Sequence, residues 1–147
     1  MPDTTARPDR SAGNAALELV ILAPILLLLV SLVIAAGRTS LAQNSVYAAA
    51  RDAARQASIS RSPGEAMAEA RSGALNELAS QNLHCAPATV LLPGVQSQFA
   101  IPPGLPATVT VTVSCRVPLA DLTLPGVPGT KVLTATFRSP LDVFRGR

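Results

Sequence analysis

The sequence predicts a membrane-anchored α+β protein. A long N-terminal transmembrane helix continues outside the membrane, a second helix follows, and a small antiparallel β-sheet of two or three strands closes the chain. Between Glu18 and Arg38 there is no charge, and Leu19 to Gly37 is built mostly of Leu, Val, Ile and Ala. About 20 such residues, rising 1.5 Å each, cross a hydrocarbon core of about 30 Å. Apolar residues then recur at three- and four-residue spacing as far as Ala57, which is a helical period. Past Cys85 prolines and glycines become frequent and apolar residues alternate with polar ones, which marks short strands and turns. The chain divides accordingly into a leader (1–13), a transmembrane helix (14–37), a helical region beyond it (38–84) and a Pro/Gly-rich β region (85–147).

Residues 1–12 are polar, carry Arg7 and Arg10, and show no periodicity; they read as a disordered leader. A cleaved secretory signal would have an apolar core of about 7–15 residues and a small-residue cleavage site. Ile34-Ala35-Ala36 is the available site, but the run ahead of it is long, so an uncleaved or leader-clipped anchor is favoured. Pro24 lies inside the run; it removes one backbone hydrogen bond without ending a membrane helix.

Beyond Gly37 the helical pattern continues through Leu41, Ala42, Val46, Ala49, Ala50, Ala53, Ala54 and Ala57, with Arg51 and Arg55 on the opposite side. One rod from about Ala15 to Ser58 would be roughly 65 Å long. Its alanine stripe allows another helix or a sheet to approach closely, or reflects helix propensity alone. Ser62-Pro63-Gly64-Glu65 is a capping box with proline at the first helical position, a helix start. The second helix is expected to run to about Leu83, burying Met67, Ala70, Ala74, Leu75 and Leu78.

Ala88 to Leu92 reads as a short strand. Thr108 to Val117 is the clearest one, with Val109, Val111, Val113, Cys115 and Val117 on one face. Lys131 to Arg138 is the next, its alternation less clean. Two or three strands need a cover for their apolar face, and the two helices are the available covers.

Composition excludes some functions. The four aromatics, Tyr47, Phe99, Phe137 and Phe144, are scattered, and the net charge is only +3; a stacking platform or basic patch for nucleic acid is not expected. His84 is the only histidine. With Cys85 and Cys115 it falls short of the four ligands of a zinc site, and as a neighbour of Cys85 it reads as a loop residue rather than half of a thiol–imidazole pair. No phosphate-binding glycine loop is present, so neither catalysis nor a cofactor is expected. Outside the cytoplasm Cys85 and Cys115 would form one disulfide; the alternative is two buried thiols.

Glu18 stands at the end of the apolar run, where interfacial water can solvate it, although intramembrane carboxylates are commonly functional. Its surroundings carry a further signal. Gly13-Asn14-Ala15-Ala16-Leu17-Glu18, then Pro24 among leucines, then Gly37-Arg38, then Ala48-Ala49-Ala50-Arg51-Asp52-Ala53-Ala54-Arg55 resemble the TadE-like pseudopilins of Tad (Flp) pilus assembly systems. The resemblance runs from Gly13 to about Ala57. It implies that a prepilin peptidase cuts between Gly13 and Asn14, and that Glu18 partners the new amino terminus on its own chain or a neighbour. Prepilins of the Flp class often carry tyrosine directly after the glutamate; Leu19 stands there in this chain.

By resemblance the protein is a minor pseudopilin in a bacterial cell membrane, spanning it once with its N-terminus cytoplasmic. Its partners would be the lipid bilayer, other pilins and pseudopilins, Tad assembly proteins and the prepilin peptidase. The competing reading is a single-pass anchored binding module outside the cell, which would tolerate changes at both Gly13 and Glu18.

Overall fold

A computed structural model describes the backbone of residues 10–122 and 128–144, with side chains from residue 18 onward. Residues 1–9 of the expected leader lie outside the described residues. The element order is α1 (Arg10–Ile59), α2 (Pro63–Ser80), β1 (Ala88–Leu91), α3 (Val95–Phe99), β2 (Thr108–Pro118), α4 (Leu119–Leu122) and β3 (Thr130–Pro140).

The rod α1 is one helix of 50 residues, continuous through Pro24 and about 75 Å long. It starts at Arg10, so the last four residues of the expected leader are already helical. Its two halves live in different surroundings. From Leu19 to Ile34 the large apolar side chains are exposed, Leu28 to 70%. From Ala42 onward one side is inside the protein: Val46, Ala49, Ala50, Ala53, Ala54 and Ala57 have no exposed surface. Leu41, which shares the spacing, remains outside at 68% exposure, because it lies on the flank of α1 with Asn44 and Ser45 rather than on the buried face of Ala42 and Val46.

Small side chains decide how α2 meets α1. The buried face of α2 is Ala66, Ala70, Gly73, Ala74 and Leu78, whereas Met67 and Leu75 stay largely exposed. That corrects the expected apolar side: two helices in close approach select small residues at the contact, and the bulkier ones are left at its margins. A Cβ on Gly73 would stand 3.0 Å from Asp52 Oδ2 and 3.1 Å from Gln56 Cγ.

The ends of α2 are set by local chemistry. Ser62 Oγ accepts from the Glu65 N–H at 3.2 Å, while Glu65 Oε2 accepts from the Arg61 N–H at 2.9 Å. The helix stops at Ser80 rather than Leu83. Asn82 takes φ +52°, and the Leu83 N–H donates to Leu78 O while the Asn82 N–H donates to Ala79 O, both at 3.0 Å. This is a Schellman closure with asparagine in the left-handed position.

The sheet is antiparallel with strand order β1-β2-β3. β2 is central and buries Val109, Val111, Val113, Cys115 and Val117, the face expected from its alternation. Fully burying one such valine contributes about 1.5–3 kcal/mol. Register pairs Val111 with Phe137, Val113 with Ala135 and Cys115 with Leu133, so the inward side of β3 is Leu133, Ala135 and Phe137. Val132, on the other side, is exposed. Hydroxyls ladder the outer face: Thr112 with Thr136 at 3.0 Å and Ser114 with Thr134 at 3.1 Å.

The outer half of α1 is the main cover of the sheet, lying over β2 and β3, while α2 packs chiefly on α1 and touches β1 and α3 at its margin. Tyr47 meets Phe137 edge-on with ring centroids 5.8 Å apart, and Gln43 Nε2 donates to Thr134 O at 3.1 Å. At the far end the Asp142 N–H donates to Ser58 O at 3.1 Å. Two short helices were not expected. α3 follows a left-handed Gly94 and places Gln98 Oε1 to accept from the Thr108 N–H at 3.0 Å. α4 buries Leu122, and the Leu119 N–H donates to Gly129 O at 3.0 Å.

Candidate assembly site

The first candidate is the start of α1. Gly13 and Asn14 fall within its helical backbone, and their side chains lie outside the described residues. Asn14 stands four positions before Glu18, about one helical turn along the backbone of α1. Glu18 is exposed. The next charged side chain along the rod is Arg38, about 30 Å away.

Between them the rod presents a surface suited to lipid or to other apolar helices. It is long and apolar enough to cross a membrane by length and composition, and its most apolar window has no share buried in the protein. Ser31 is the one hydroxyl of this run, and its Oγ donates to Leu27 O at 2.7 Å. The helix thereby satisfies its own polar side chain, as a segment without water requires. Pro24 sits inside this stretch, and Gly37 closes it with open space around its Cα.

The second candidate is the surface of the folded domain. Cys85 and Cys115 form a disulfide with Cα atoms 5.1 Å apart, tying the turn after α2 to the central strand. With a sequence separation of 30, the closed loop contributes roughly 3–4 kcal/mol in the chain-entropy model. Neither cysteine is free, so His84 has no thiol beside it. Among the described residues no three His, Cys, Asp or Glu side chains gather as metal ligands would.

Two cavities flank the helices. One, about 640 Å³, is an apolar groove between α2 and β1 lined by Met67, Arg71, Val90, Leu91, Leu92 and Pro93. The other, about 500 Å³, opens at the foot of the domain where the apolar run ends, and mixes polar side chains with apolar ones such as Leu41, Leu83 and Val117. Neither was legible in the sequence, since their walls come from segments far apart in the chain.

The TadE-like protein family matches residues 13–55. That span begins at Gly13, contains Glu18 and the whole unburied apolar stretch, and ends inside the alanine-faced part of α1. No curated protein and no solved structure matches the chain.

Proposed function

We propose, from the premise that residues 13–55 are TadE-like, that this chain is a minor pseudopilin serving assembly of a Tad-type pilus or related secretion apparatus. The observation that carries the reading is a coincidence of boundaries. The family match starts at the glycine of the cleavage pattern, and the helix behind it bears about 30 Å of apolar surface that the protein leaves uncovered.

In this reading a membrane peptidase cuts between Gly13 and Asn14. Glycine lowers helix stability there by about 1 kcal/mol relative to alanine, which eases local opening of the backbone for cleavage. The new α-ammonium at Asn14 and the positive end of the helix dipole then lie one turn from Glu18. In an apolar bundle an unpaired carboxylate is strongly disfavoured, so Glu18 selects a neighbour, or its own terminus, that supplies an ammonium partner and sets helix register. The outer half of α1 carries the disulfide-linked domain beyond the membrane, and the disulfide favours the oxidising, extracytoplasmic side. The role is structural, with no catalysis by this chain.

Glu18→Ala is expected to leave membrane insertion intact and to reduce co-purification with the other pilus components severalfold. Normal incorporation of that variant would remove the pairing role. The apolar groove at Met67 and Leu91 supports the second reading, an anchored binding module. On that reading Glu18→Ala changes nothing and substitutions in the groove abolish binding.

A further inference from the structure

The cavity at the foot of the domain brings together side chains from three separate parts of the chain. α1 supplies Arg38 and Ser45, the turn after α2 supplies Gln81, Asn82 and His84, and α4 supplies Asp121. The helix fixes its depth. Arg38 is the first charge after the apolar run, and Ser45 lies about 10 Å further along the axis. The headgroup layer beside a hydrocarbon core is about 5–8 Å thick. If Leu19 to Gly37 span the core, the cavity begins at headgroup level, with Arg38 inside that layer and Ser45 at its outer edge.

Its charged and amide side chains, Arg38, Gln81, Asn82, His84 and Asp121, are all exposed and so open to a ligand from solvent or membrane. Arg38 and Asp121 line the same cavity without forming a salt bridge, and among the described residues no hydrogen bond engages the side chains of Arg38, His84 or Asp121. Opposite charges that line one cavity without pairing with each other complement a molecule that carries both signs. A guanidinium presents paired donors to phosphate oxygens, the amides of Gln81 and Asn82 add neutral donors, and a carboxylate accepts from a primary ammonium.

We propose that this cavity binds the headgroup of a zwitterionic aminophospholipid, with its phosphate toward Arg38 and its ammonium toward Asp121. The proposal rests on the reading that α1 spans the bilayer. Bound in this way, a lipid fixes the depth and rotation of the domain on the membrane surface, which a bare helix would leave loose.

The test uses the full-length protein in nanodiscs of equal parts phosphatidylethanolamine, phosphatidylcholine and phosphatidylglycerol, with retained lipids read by native mass spectrometry. Phosphatidylethanolamine is expected to be enriched about tenfold, the ratio set by one charge-assisted hydrogen bond. Phosphatidylcholine lacks an N–H to donate, and phosphatidylglycerol lacks the cation. Asp121→Asn should erase the enrichment, and Arg38→Gln should lower retention of all three lipids. Equal retention, enrichment of phosphatidylglycerol, or an Asp121→Asn variant that selects as the wild type does would overturn the proposal. Displacement of the lipid by soluble glycerophosphoethanolamine at matched concentration would overturn the lipid source. Carbonate extraction of native membranes separates the two readings. A protein that stays in the membrane yet shows no lipid preference defeats the headgroup site alone, and a protein that is extracted defeats the spanning helix.

Discussion

At Gly73 the two helices of the domain lie in close contact, with the Asp52 carboxylate and the Gln56 side chain where a Cβ would project. Both are ends of flexible side chains, so alanine there sets a tight contact against a helix-propensity gain of about 1 kcal/mol, and the two effects roughly offset. A larger side chain has no such compensation. Gly73→Leu is expected to push the helices apart and destabilise the domain by about 1–3 kcal/mol, seen as a lower thermal midpoint with the disulfide intact. A midpoint equal to wild type would mean that the contact at Gly73 is loose in solution. Glu18 is a different kind of residue. It packs against no buried neighbour, so its replacement should register in assembly and leave the melting of the domain unchanged.

Among the elements, the segment from Cys85 to the start of β2 has little of its own to hold it: β1 has four residues and α3 five. Cys85→Ala with Cys115→Ala is therefore expected to cost about 3–4 kcal/mol, measured by denaturant unfolding of oxidised wild type against the double variant. Loss of less than about 1 kcal/mol would show that the strands hold the segment without the bond. The long elements were legible in the sequence for clear reasons. Val109 to Val117 alternates without a break, and the charge-free run behind Glu18 has one reading by length. The face of α2 was misread because Met67 and Leu75 form an apolar stripe on a helix drawn alone, while contact with α1 favours Ala66 and Gly73. Its end was misread because Asn82 closes the helix through a left-handed φ. α3 and α4 are too short to show a helical period, and the cavity at the foot joins Arg38, His84 and Asp121, which share no local pattern.

For the whole molecule, α1 is both the apolar rod and a wall of the domain's core. Every buried side chain among the described residues lies at Ala42 or beyond, so the apolar half of the rod can be removed without opening the core. A fragment 38–147 is expected to fold with its disulfide and melt cooperatively. A fragment starting at residue 60 loses the seven buried apolar residues from Ala42 to Ala57 and should show no cooperative transition by circular dichroism. Cooperative melting of the shorter fragment would contradict the assignment of α1 to the core. This continuity joins the apolar half of the rod to the packed domain without a hinge residue between them that breaks the helix. The central claim is that the rod is a pilin-type helix and not a plain anchor, and the intact mass with N-terminal sequence of the protein from its native membranes tests it most directly. The account predicts a mature chain that begins at Asn14; a chain still carrying Gly13 and the residues before it, or one beginning near Gly37, would contradict it.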